Sequence, residues 1–414
     1  MAFILGIIVL LAFIWRSLYL TFVSNIKYRK LKILSLYILS TFFYFNTLIS
    51  NLIFFYFLSL LLLLSVKKIK VPFPSNLYVI FLLYSCITLF YSESLWYGSM
   101  MILKLTIPFL FLMIGYNIVD SEVKFHTFLF KSYKYFVPIA ILSSDPIVTL
   151  GKQYVKIFTS WESGNTYIYL VLICIPISLY FLTKKLKYVF ESLIFTFPYL
   201  TLVRRASIGG AAIVASVAYY FKKGWKAFIP IFLGICLLVV SIVTIPALRD
   251  RFFGGDKGDM SGLSNRELLS AENVSTSGRD YMWAYVLDKF YVDNEIYGCG
   301  LGTMKSFLRN NASGETEHFE ILHNDHLHIL IETGMVGIIL YEIFFLGIII
   351  SSLKVIRNNR YDFSIRVSAF CSLSMTISML FCMYFGNLLS ALNPLAVTFL
   401  FIGIFLRMKQ NVIK

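Results

Sequence analysis

The sequence predicts an all-α, polytopic integral membrane protein with about 12–13 transmembrane helices and one long external loop. Three observations carry this. Of 414 residues, 58% are hydrophobic and 14% charged, with mean hydropathy +0.76, against about 45–50% and about 25% in soluble domains. The apolar residues fall in repeated runs of hydrocarbon-spanning length, such as LYVIFLLYSCITLFY (77–91) and FIPIFLGICLLVVSIVTIP (228–246). A membrane barrel would instead show alternating segments of about ten residues. Short basic clusters recur between the runs: KYRKLK (27–32), KKIK (67–70), KKLK (184–187), KKGWK (222–226) and KVIRNNR (354–360).

Taken in order, the runs give spans near 2–22, 33–50, 51–66, 75–91, 101–118, 127–144, 165–182, 188–203, 206–221, 227–246, 326–352, 364–385 and 390–407. The first run has no early positive region or A-x-A site, so it reads as a retained span. The basic clusters read as cytosolic connectors under the positive-inside rule. Residues 247–325 reverse the balance, with eight Lys or Arg against thirteen Asp or Glu, and therefore belong outside. Thirteen spans put the N-terminus outside; an even number with both ends cytosolic is the close competitor. The net charge of +15 is thus spent on membrane orientation, and nucleic acid is not an expected partner. Three regions follow: an N-terminal transmembrane bundle (1–246), an external loop with short helices over the membrane surface (247–325) and C-terminal transmembrane helices (326–414). Five of the six cysteines fall in apolar runs and Cys299 stands alone in the loop, so no disulfide framework is indicated.

Within the loop, GDKGD lacks the spacing of an EF-hand. SGRDYMWAYVLDKFYVDN (277–294) has a capping Ser277 and an apolar stripe of Met282, Trp283, Val286, Leu287 and Phe290 at helical spacing. It predicts a helix lying along the membrane, with Trp283 at headgroup depth and the cation Arg279 in its first turn. YGCGLGT (297–303) is a tight glycine-rich turn without the strand and helix of a nucleotide site.

Some charges do not behave as connector charges. Arg204 and Arg205 interrupt an apolar stretch on the side of the external loop, where positive-inside statistics disfavour them. They fit a polar turn at the headgroups or an anion clamp, since guanidinium offers a rigid fork to phosphate oxygens. Lys104, ahead of Pro108 in an apolar run, fits a snorkelling lysine or a residue lining a site. Three of the five histidines lie in HNDHLHILIETGMVG (323–337). His323 and His326 share a helical face while His328 points elsewhere, and no HExxH pattern is present, which argues against zinc. Asn324 or Asp325 reads as the cap of a helix whose wet end holds His326 and His328. His323, just outside that helix, has the chemistry of a general base near neutral pH.

These residues resemble the O-antigen ligase and polymerase superfamily of bacterial envelope proteins. The ligase signature of His, Asn or a close variant, nine residues and Gly-x-x-Gly is matched by His323, Asn324, Gly334 and Gly337. The family's Ser-Arg-Gly-Ala element is similar to RRAS (204–207), aligning its arginine with Arg205 while Arg204 replaces serine and Ala206 replaces glycine. Its outer-loop arginine resembles Arg279 in SGRDYMW, and SGNTYIY (163–169) weakly nominates Asn165.

The resemblance implies inverting, metal-independent glycosyl transfer, without cofactor, at the periplasmic or external side of the bacterial cytoplasmic membrane. The donor would be a glycan on undecaprenyl diphosphate. Catalysis would fall to His323, Arg205 and Arg279: His323 would deprotonate the acceptor hydroxyl and the arginines would hold the diphosphate. Arg204, Asn324, His326 and Asn165 would bind substrate. The acceptor is either another lipid-linked repeat unit (a polymerase) or lipid A-core (a ligase). The aromatic, lysine-rich chain and the divergent RRAS element favour the polymerase, while the histidine motif favours the ligase. Other proteins of the surface-polysaccharide pathway would be partners in the bilayer. The non-enzyme alternative, a lipid-linked oligosaccharide flippase or transporter, predicts internal repeats and charges buried in several spans. No convincing repeat is present.

Overall fold

A computed structural model describes residues 34, 48–64, 66, 68–73, 75–142, 166–193, 205–244, 279–310, 322–389 and 392–413. They form helices and turns, with no strand among the described residues. In chain order the helices are α1 (Leu48–Leu64), α2 (Ser75–Thr88), α3 (Leu95–Ile118), α4 (Glu122–Leu142), α5 (Thr166–Thr183), α6 (Arg205–Lys223), α7 (Phe228–Thr244), α8 (Arg279–Val286), α9 (Thr303–Asn310), α10 (Asp325–Arg357), α11 (Phe363–Phe385) and α12 (Leu392–Ile413). Among the described residues, five stretches are long and apolar enough to cross a membrane: Leu95–Ile118, Ile208–Ser241, Asp325–Arg357, Phe363–Phe385 and Pro394–Val412. The protein is all-α and polytopic.

The core of the bundle is organised around α11, which packs against α5, α6, α10 and α12 and is buried over most of its length. Close crossings use glycine. A β-carbon on Gly115 of α3 would lie 2.1 Å from the Leu400 carbonyl oxygen of α12, and one on Gly403 the same distance from that of Leu112. Without lipid-excluding hydrophobic drive, such backbone approach supplies dispersion contact between membrane helices.

The expected spans at 2–22, 33–50 and 188–203 lie wholly or largely outside the described residues; among the described residues the other expected spans coincide with helices, and the differences have local causes. α1 runs through the boundary drawn at 50/51, because Ser50 and Asn51 are tolerated inside its first turns. α3 starts at Leu95 rather than 101, because the Ser94 side chain accepts from Tyr97 N–H and nucleates the helix there. The largest difference is in α10. The continuous span expected over 326–352 is broken at Gly334, whose backbone is non-helical (φ 65°, ψ −171°). Only the part after the glycine, about 34 Å of helix, runs on to the basic end at Lys354 and Arg357.

α8 forms as expected and packs on neighbouring elements. Its Met282 and Val286, with Phe290 of the π-helical turn Leu287–Tyr291, join Met304, Phe307 and Leu308 of α9, Leu322 and Ile331 in a small core of their own. Lys289 closes that core over the Phe307 ring, 3.9 Å from its centroid. Trp283, expected at the headgroups, donates its indole N–H to the Leu322 carbonyl at 2.8 Å. The proposed cap Ser277 lies outside the described residues.

Candidate functional site

The break in α10 is held by the glycine-rich turn between α8 and α9. Gly298, Gly300, Gly302 and Gly334 all have positive φ. On one side of the break the N–H groups of Cys299 and Gly300 cap the carbonyls of Ile331 and Glu332 at 3.0 and 3.1 Å. On the other, the carbonyls of Glu295 and Ile296 accept from Met335 and Val336 N–H at 2.8 and 3.2 Å. Interrupting a helix exposes orphan donors and acceptors, and this turn satisfies both sets. The Tyr84 hydroxyl donates within reach of two carbonyls, Thr333 at 3.1 Å and Tyr297 at 3.2 Å, tying the staple to α2.

The break folds the first part of α10 back on the second. His326 Nδ1 lies 2.6 Å from Glu342 Oε1, although sixteen residues of straight helix would separate them by about 24 Å. Residues 325–333 therefore form a short re-entrant helix leaning against the end of α11. Asn324 caps it, its Oδ1 accepting from Leu327 N–H at 3.0 Å. Buried Asp325 uses Oδ2 to accept from Leu388 and Leu389 N–H, at 2.5 and 3.1 Å, fixing the turn after α11.

The three histidines of the opening motif have separate environments. His328 lies 3.1 Å from Oε2 of Glu332, a fully buried carboxylate whose Oε1 accepts from Met304 N–H at 3.2 Å. His326 has both nitrogens engaged, with Glu342 and with the Leu380 carbonyl at 2.9 Å. His323 is different. Its backbone is left-handed (φ 55°), a conformation that costs about 1–3 kcal/mol in a non-glycine residue and persists where surroundings impose it. Its ring has no hydrogen-bond partner among the described residues. Burial first, and the charge of Arg279 second, push its pKa below the ordinary 6.5. The shift favours the neutral imidazole, the form that can take a proton. Among the described residues no group of three or more His, Cys, Asp or Glu is arranged to hold a metal ion.

Arg279 opens α8, and its Nη1 donates to the Phe385 carbonyl at 3.0 Å, on the last turn of α11. The helix is held there by the Trp283 bond to Leu322 and by the Trp283 ring edge-on to Tyr384, centroids 6.1 Å apart. Arg205 begins α6, and for it the structure describes the backbone alone. The next carbonyl, of Ala206, accepts from Cys382 Sγ at 3.4 Å, and Gly209 lies so close to Phe381 that a β-carbon would come within 2.3 Å of the ring. The last two turns of α11 therefore touch the start of α6, Arg279 and His326, with His323 in electrostatic reach of Arg279. Arg204 and Asn165 lie outside the described residues. Lys104 is 5% exposed and lies within electrostatic reach of Lys305, Asp325 and Glu332. Glu332 and Glu342 escaped sequence reasoning; the available signal was a carboxylate inside an apolar run.

Chemically, the site brings an imidazole with no hydrogen bond among the described residues into electrostatic reach of a guanidinium on a fixed scaffold. Residues 190–341 match the family described as O-Antigen ligase. The matched segment contains α6, α8, α9, the break in α10 and His323, so the likeness to that family covers the candidate site. No curated protein matches the chain.

Proposed function

We propose that this chain, whose residues 190–341 match the O-antigen ligase family, transfers a glycan from undecaprenyl diphosphate to an acceptor hydroxyl at the outer face of the bacterial cytoplasmic membrane. The observation that supports this most is that His323 lies in electrostatic reach of Arg279 and is the one motif histidine whose ring has neither a described hydrogen bond nor a described ion pair. The neutral imidazole of His323 takes the proton of the acceptor hydroxyl as its oxygen attacks the anomeric carbon. The bond from that carbon to the diphosphate oxygen breaks, and the electron pair leaves with the diphosphate. Arg279 and Arg205 bind that anion and offset the charge that grows on it. Attack from the opposite face inverts the anomeric centre. The step calls on no metal or cofactor, because guanidinium groups supply the positive charge.

The family description favours lipid A-core as acceptor, the ligase activity, over the polymerase favoured by residue pattern alone. The polymerase remains the second reading, and the departure of Arg204 and Ala206 from the family's Ser-Arg-Gly-Ala element favours it. Reconstitution in proteoliposomes with a defined undecaprenyl-diphosphate glycan separates the two. Product that forms only with lipid A-core supports ligation. Chain growth on lipid-linked units alone supports polymerisation, and absence of both products overturns the glycan-transfer reading.

A further inference from the structure

Glu342 is a carboxylate where a membrane span has little use for one. It lies eight residues past the break at Gly334, about 12 Å along the helix, and its side chain is 40% exposed. Its exposed neighbours on α10 are Met335, Ile339, Ile343, Leu346 and Ile350, an apolar stripe at helical spacing that suits lipid. An ionisable group at such depth is costly unless it is paired or faces a hydrated crevice.

The pairing is with His326, and its proton inventory is constrained. The Leu380 carbonyl can only accept, so His326 Nε2 carries a hydrogen. The remaining proton is shared between Nδ1 and Glu342 Oε1, as imidazolium with carboxylate or as imidazole with carboxylic acid. Both forms are neutral overall, which reconciles the pair with its depth. In both, Glu342 Oε2 stays an acceptor, with no partner among the described residues. One turn beyond Leu380, α11 exposes Tyr384 and Phe385, at 49% and 41%.

We infer that Glu342 Oε2 receives a hydroxyl of the acceptor sugar, making Glu342 a recognition residue of the acceptor subsite. This rests on the glycan transfer proposed above. Charge separates acceptor from donor: the diphosphate belongs with Arg279, and a carboxylate oxygen beside it would repel it, whereas a sugar hydroxyl donates to that oxygen. The spacing agrees, since the pair is carried by His326, three residues after His323.

The test is steady-state kinetics in proteoliposomes, using whichever of the two acceptors turns over with the wild-type protein and varying donor and acceptor separately. Glu342→Ala should raise the acceptor KM on the order of tenfold or more, the loss expected for one charge-assisted hydrogen bond. Donor KM should stay within about twofold, as should slow donor hydrolysis without acceptor. Glu342→Gln, which keeps an amide oxygen in place, should recover part of the acceptor KM and guards against misfolding of the alanine variant. Unchanged acceptor KM, a rise in donor KM instead, or a fall in kcat alone overturns the inference and leaves the transfer reading standing. No turnover by the wild-type protein with either acceptor sinks both.

Discussion

Gly298 and Gly334 meet backbone to backbone: a β-carbon on either would lie 2.5 Å from the amide nitrogen of the other. Both have left-handed φ, 78° and 65°. The contact joins the turn between α8 and α9 to the break in α10, and through it sets the direction of the helix that follows His323.

Alanine at either glycine should therefore be severe. Strain in the left-handed region costs about 1–3 kcal/mol, and the clash with backbone adds to it. Gly334→Ala and Gly298→Ala should each lower the yield of monodisperse protein in detergent and its thermal midpoint. Gly347→Ala serves as control, because a β-carbon there meets nothing within 4 Å. Equal behaviour of all three variants would show the staple to be unimportant.

Arg279 should tune the pH dependence of transfer. The base acts when neutral, so kcat/KM should rise with pH through the pKa of His323 and level off at a lower pH than for an unperturbed histidine, because burial and Arg279 both depress it. Arg279→Gln removes a positive charge, makes protonation of His323 easier and should move the acid limb upward in pH. It should also lower the rate by about 10²–10³, as loss of one anion-stabilising donor does. A pH–rate profile in proteoliposomes checks both; an acid limb that stays or moves down contradicts the assignment of the base.

Lys104 should matter for folding rather than for substrate. It is buried within electrostatic reach of Lys305, Asp325 and Glu332, and a buried charge that loses a compensating partner is destabilising. Lys104→Met should reduce folded protein, and the double variant Lys104→Met with Glu332→Gln should recover part of it. Recovery is read by size-exclusion profile and melting; a double variant worse than the single one would show that the two charges do not compensate each other.

Chelation gives a further check. Transfer should persist in EDTA, since the positive charge at the leaving group comes from arginine side chains. Loss of activity that returns with a divalent cation would contradict that.

Hydropathy made the spans legible, because a membrane demands contiguous apolar length and little else competes with that signal. α11 and α12 begin within two residues of their expected starts. The fold-back at Gly334 was not legible. In sequence the glycine reads as a small residue for close helix packing, and its left-handed φ depends on a turn some thirty-six residues upstream. For the site, His323 and Arg279 could be nominated from residue chemistry and family likeness. The partners of His326 and His328 could not, since Glu342 and Glu332 reach them only after the helix is folded back or docked. Arg204, Asn165 and Ser277 lie outside the described residues.

The central claim, that His323 is the base of a glycan transfer, is tested most directly by one comparison. Wild-type protein and His323→Gln are reconstituted at equal amounts with undecaprenyl-diphosphate glycan and the acceptor, and product is followed over time. The account predicts transfer by the wild-type protein and a loss of at least about 10²-fold in the variant, with its melting behaviour retained. Transfer by folded His323→Gln at the wild-type rate would contradict it.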